Sequence, residues 1–364
     1  MSYDGIAYGS RVDNFNERKL HAKVVDQILN APTLYSRVLS KGQPFLGKTM
    51  DWTVDVVSDT QGEFFIGLET LNSSAVNSTI VLSYAHTGFT QPKVGIMLES
   101  FANTGDTATI SLDVFKYEKA AAEALQKLGT AIYADGTANR PNGLGLIVDD
   151  SGTIGGQSRS TYSQLNATDT ASGGTLTLAK LATLDDATRA ASLISSTTGI
   201  GVTTKTVFSL FEQLLQPNVR SSYEALGYPQ MGVRSMTVNR GDKAQDGAGF
   251  LSLEYRGKPI IADDFATSGY LYFLNEDSFG WFGRSTVPED WKPFVEKVNL
   301  GTMKAYEGVG AQSLDLPSEF NGWFYQKSMV MPNQAGMIGR FYVIGQVCTW
   351  EPRRNGRLTG ISGV

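Results

Sequence analysis

The sequence predicts an α+β protein, and three patterns carry that expectation. Apolar or small residues recur at helical spacing through one long segment, read as a helix over residues 106–135. Apolar and polar residues alternate with period two between residues 48 and 100. Residues 272–364 are crowded with the aromatic and β-branched side chains that fill sheet cores.

Taken in order, residues 1–45 read as a polar arm with one short helix. Leu20, Val24, Ile28 and Leu29 form its apolar face, and Asn30-Ala31-Pro32 ends it. Residues 35–41 make a poor buried strand. Met50, Trp52, Val54 and Val56 then alternate with Asp51, Thr53 and Asp55, and residues 80–84 and 93–98 read the same way. Between the first two strands lies a Ser-, Asn-, Gly- and Thr-rich stretch with Phe64-Phe65-Ile66 in its middle. A two-stranded excursion of this kind buries little within its own subunit. It is expected to lie on another chain, with an ordinary surface hairpin as the alternative.

The long helix takes Asp106 as its N-cap and Gly136 as its stop. Its main stripe is Ile110, Val114, Tyr117, Ala121, Leu125, Leu128 and Ile132, and a shorter second stripe is Leu112, Phe115 and Ala122. Such a helix is roughly 40 Å long. It is either a core helix of a large domain or a spine, with a sheet on one face and a second layer or another subunit on the other. Beyond it, Thr183 is expected to cap a helix running to about Ile194, residues 202–204 a strand, and residues 205–215 a helix broken at Gln216-Pro217. Residues 250–255 and 260–262 are strands about a turn at 256–259.

Composition narrows the function classes. The chain has 364 residues, enough for two or three compact units, with 39 glycines and only 18% charged residues. The net charge of −5 provides no basic field to recruit nucleic acid. Residues 1–50 carry +3 and residues 351–364 carry +2, which leaves −10 on the middle. Basic ends on an acidic body suit contacts between copies of one chain, although small asymmetries of this size are common. The single cysteine, Cys348, sits in an apolar run and reads as core. No stretch is long and apolar enough for a membrane span.

The search for chemistry finds one motif. GQPFLGKT (42–49) fits the phosphate-loop pattern. That loop needs a buried strand before it and a helix after it, and neither is expected here; Pro44 also removes an amide from the cradle. A nucleotide hydrolase therefore stands only as an alternative. His21 and His86 are the two histidines and are too few and too scattered for a metal cluster or a catalytic triad. Asp149-Asp150, Asp185-Asp186 and Asp263-Asp264 are adjacent pairs that do not face each other across a substrate, so capping and solvation are their expected roles. No cofactor is expected. A long two-faced helix in a chain without chemistry reads as architecture.

Two sets of strings specify the architecture. LGTAIYADGT (128–137) is followed by NGLGLIVDD (142–150), TIGGQSRSTY (153–162) and Asn166; later come GFLSLEYRGKPIIADD (249–264) and YLYFLN (270–275). In this order they resemble the major capsid proteins of tailed bacteriophages, which have the Hong Kong 97 fold. The resemblance spans roughly residues 45–350. It implies an N-terminal arm (1–45), an extended hairpin loop (46–92), a peripheral domain with a long spine helix and a strand-rich sheet (93–136 and 272–364), and a mixed α/β axial domain (137–271).

The resemblance further implies homo-hexamers and homo-pentamers of an icosahedral head, assembled in the host bacterial cytoplasm around double-stranded DNA that is not bound specifically. A portal and a decoration protein are implied partners. No scaffolding segment is evident before the arm, so either a separate scaffolding protein or the cutting of a longer precursor is expected, and the initiator Met1 favours the former. The extended loop would lie over a neighbour, with Phe64, Phe65 and Ile66 as its contacts. Some relatives cross-link through a lysine on this loop; residues 49–92 here contain none, so non-covalent stabilisation is expected. A phage-derived nanocompartment shell is the other structural reading.

Overall fold

The computed structural model describes residues 32–57, 62–68, 70, 77–103, 112–136, 139–171, 173–190, 199–214, 252–298, 322–332 and 334–363. The expected arm helix around Leu20–Leu29, the cap Asp106 and the stripe residue Ile110 lie outside these residues.

Two six-stranded sheets organise the described residues. The first is built on the long strand Gly336–Thr349, which pairs antiparallel with Thr87–Ile96, Phe279–Arg284 and Trp323–Val330. Val295–Lys297 and the short strand Gln43–Phe45 complete it. The spine helix, Leu112–Ala131, lies across this sheet. Tyr117 meets the rings of Tyr325 and Phe341, each at 4.7 Å between centroids. Ala121 and Leu128 are buried and Leu125 is partly buried against the same core.

The helix is shorter than its sequence pattern. Its last helical residue is Ala131, and Ile132 lies just beyond it, buried, still donating its amide to the Leu128 carbonyl. Val114 departs from the stripe and is 54% exposed. It sits a turn before Tyr117, whose ring fills the space between helix and sheet.

The second sheet runs in the order Ser252–Tyr255, Lys258–Ala262, Ile200–Thr203, Leu271–Leu274, Gly356–Leu358, Thr168–Thr170. Its central strands are apolar at consecutive positions because both faces are covered. Ile260, Leu271 and Phe273 face the helices Leu178–Ala190 and 205–214, while Ile261, Tyr272 and Leu274 join the main core with Trp281, Trp323 and Phe341. A linear division at 271/272 therefore cuts this sheet. Residues 272–274 and 356–358 pair with strands of the 137–271 region, and Ile361–Gly363 pairs with Gly174–Thr175.

Four other expectations need correction. Residues 33–40 are a helix, since Leu34, Tyr35, Val38 and Leu39 fall on one helical face and are all buried. The segment 93–98 divides between the strand Thr87–Ile96 and the helix Met97–Ala102. The extended hairpin likewise ends at Ala85, because residues 87–92 are already in the first sheet. Thr183 is inside a helix, not at its start: its hydroxyl donates to the Ala179 carbonyl, and it is the Thr177 hydroxyl that accepts the Lys180 amide.

Candidate assembly surfaces

The strings that follow the spine fold around one buried side chain. Arg159 has no exposed surface. Its Nε donates to the Leu165 carbonyl at 3.2 Å, Nη1 to Ser151 at 2.8 Å, and Nη2 to Leu146 at 2.7 Å and Ile147 at 3.1 Å. A guanidinium has five fixed donors and suits such a cage of carbonyls. The cage ties NGLGLIVDD to TIGGQSRSTY and to the turn before Asn166. Gly145 fits where this segment passes the end of the spine, since an added Cβ would lie 2.9 Å from the Asp135 backbone nitrogen.

The extended hairpin pairs Thr49–Asp55 with Thr79–Ala85. Met50, Leu82 and Tyr84 turn inward and Asp51, Thr53, Ser83 and Ala85 outward, a strict alternation. Trp52 anchors the base, meeting Tyr84, Phe282 and Trp350 at 5.9, 5.0 and 6.0 Å between centroids. The Tyr84 hydroxyl donates to Thr349, and the Gln346 amide donates to Ala85. At the far end the chain is bare: Phe64 is 106% exposed, Phe65 60%, Ile66 91% and Leu68 108%. The predicted loop residues and the spine stripe are thus separate: the first lie on solvent, the second mostly in the core.

The candidate chemical groups are taken up structurally. Residues 42–49 follow a helix and lead into a strand, the reverse of the order a phosphate loop requires. The Asp263 carboxylate accepts the Leu34 amide at 3.0 Å, capping the 33–40 helix from across the fold, and also accepts the Phe265 amide. Burial pushes this carboxyl upward despite those bonds. Asp185 is fully buried among Arg189 at 2.9 Å, Lys258 at 2.8 Å and Arg256 at 3.3 Å. Burial alone would raise its pKa, but the hydrogen bonds from Lys258 and Arg189 outweigh it and hold the carboxyl below its ordinary range. Asp149, Asp150 and Asp169 converge within 4.8 Å, with Arg357 bound to Asp169 at 2.6 Å. Arg357, one of the basic residues of the C-terminal end, is therefore used internally. Cys348 is buried beside Met50, and burial pushes its thiol up.

No protein-family profile and no curated protein sequence matches the chain. Solved structures do. The "Cyanophage A-1(L) capsid asymmetric unit" aligns with a TM-score of 0.66 at 14% identity, covering 94% of this chain and 96% of that one. The "capsid of native GTA particle" aligns at 0.56 and 9% identity, covering 95% of each chain. The holo-SrpI encapsulin complex from Synechococcus elongatus PCC 7942 aligns at 0.55 and 12% identity, covering 99% and 96%. Aligned over nearly the full length of these chains, the chain has the Hong Kong 97-type fold of phage capsid proteins.

Proposed function

We propose that this chain is the major capsid subunit of a tailed bacteriophage, forming hexamers and pentamers of a head that encloses double-stranded DNA. The observation that carries the reading is the end-to-end likeness to a cyanophage capsid chain. The bare apolar tip at Phe64, Phe65, Ile66 and Leu68 supports it, since a neighbouring subunit is the surface such a tip needs. The acidic balance of −5 fits a wall that does not grip the packaged DNA. The structural use of the paired carboxylates fits a subunit without enzymatic activity. A separate scaffolding protein and a portal are the partners proposed for this role, with a decoration protein as an optional addition.

The likeness to an encapsulin shell favours a second reading, a protein nanocompartment. Negative-stain microscopy of the purified full-length chain tests both. Rings, sheets or closed shells are expected, and a small monomer under all salt and protein concentrations overturns the shell reading. Genome-length DNA inside native particles selects the phage head; a packaged enzyme selects the nanocompartment.

A further inference from the structure

A lone two-stranded hairpin is marginal in water and has no fixed direction. Here the outer edge of its second strand is occupied. In the hairpin register, Val56 donates to Ser78, so the even-numbered residues 50, 52 and 54 bond across the pair. Residues 79, 81 and 83 consequently turn their backbone groups outward. Two of these three meet the small hairpin of Thr153–Ile154 and Gln157–Ser158. The Ser83 amide donates to the Gly155 carbonyl at 2.9 Å, and the Gln157 side-chain amide donates to the Val81 carbonyl at 3.0 Å. Gly155 has φ +54°, and a Cβ there would lie 2.8 Å from the Leu82 Cβ. The contact thus requires glycine for both its backbone and its closeness. Ile154 and Leu82 share one buried cluster beneath it.

We infer that residues 153–158 are a brace that sets the direction of the extended hairpin. Arg159, next in the chain, fastens the brace to the carbonyls of residues 146, 147, 151 and 165. Gln346 adds a second tie: its Nε2 donates to Ala85 while its Oε1 accepts the Asn142 amide at 2.6 Å. The hairpin base and the glycine-rich segment after the spine therefore move as one body. A pull on the apolar tip is passed to the segment that leads into the second sheet, without a hinge at the hairpin root. The consequence for assembly rests on the shell reading; the brace itself does not.

Hydrogen exchange on the full-length chain tests it with Gln157→Ala, a surface change, and Gly155→Ala. Amides of residues 79–85 are expected to exchange on the order of tenfold faster in both variants, with amides of the spine unchanged. Unchanged exchange at 79–85 in Gln157→Ala overturns the brace, even if Gly155→Ala fails to fold. Particle yield is the second readout. It is expected to fall in Gln157→Ala, and wild-type yield with a loosened hairpin overturns the role in aiming the tip. If the unaltered chain forms no particles, the shell reading fails while the exchange result still decides the brace.

Discussion

Arg159 shows how much one side chain holds here. Truncating it leaves carbonyls of residues 146, 147, 151 and 165 without their donor in a buried site. Arg159→Ala is expected to cost about 3 kcal/mol or more, read as a lowered denaturant midpoint of the unassembled subunit. Arg159→Lys should recover little, because an ammonium cannot reach carbonyls spread around a planar fork. The buried carboxylates give a second residue-scale expectation. Glu276 is held by Arg37 and by Lys41 at 2.8 Å; burial would raise its carboxyl, but Arg37 and then Lys41 bring it below the ordinary range. Asp185 is lowered in the same sense. A lowered folded pKa contributes stability that is present above the unfolded value, roughly 4, and is lost as pH falls through the folded one. Asp263, raised by burial, has the opposite sign: its contribution is present at low pH and lost as pH rises through its folded value. Glu276→Gln should therefore lower the melting temperature at pH 7 and flatten its fall below about pH 4. A wild-type slope on the acid side would show that Glu276 does not carry it.

At the scale of elements, the spine helix divides into working and idle positions. Leu128 is buried between helix and core, so Leu128→Ala should cost about 2–4 kcal/mol. Val114 is 54% exposed, and Val114→Ser should stay within about 0.5 kcal/mol in the isolated subunit. Thermal melts of the two variants check the contrast. The helix Thr33–Ser40 acts as a clamp. Asp263 binds its first turn, Glu276 binds Arg37 near its end, Pro32 approaches Gly129 on the spine, and Tyr35 meets the Trp281 ring edge-on at 6.0 Å. One short helix thereby joins the spine to strands of both sheets.

For the whole molecule, the expected outcomes concern assembly. Replacing Phe64, Phe65 and Ile66 together by serine removes apolar surface that lies outside the core clusters of the described residues. The melting temperature should hold while shells are lost, and intact shells would show that the tip is not an interface. Particles boiled in detergent should run as a single monomer band, because residues 49–92 contain no lysine. A ladder above the monomer would overturn non-covalent stabilisation. Lys48→Ala should change neither assembly nor nucleotide binding, measured by equilibrium dialysis, because residues 42–49 join a helix to a strand.

The sequence by itself determined what depends on local backbone geometry. Side-chain direction repeats every 3.6 residues in a helix and every two in a strand, so the spine, the hairpin strands and the turn before Lys258 were legible as patterns. The misplaced phosphate loop was legible too, because its physics demands particular neighbours in the chain. Tertiary structure alone decided what lies opposite each pattern. The apolar run at 271–274 reads as sheet core, but that it pairs with Ile200–Thr203 and Gly356–Leu358 depends on partners some 70 and 85 positions away. Arg159 is an arginine among polar neighbours until the carbonyls of four residues, 146, 147, 151 and 165, close on it. Val114 fits the helical stripe, yet whether the sheet extends beneath it is a property of the sheet. Periodicity states which face of an element is apolar; only contact between distant segments states what covers it.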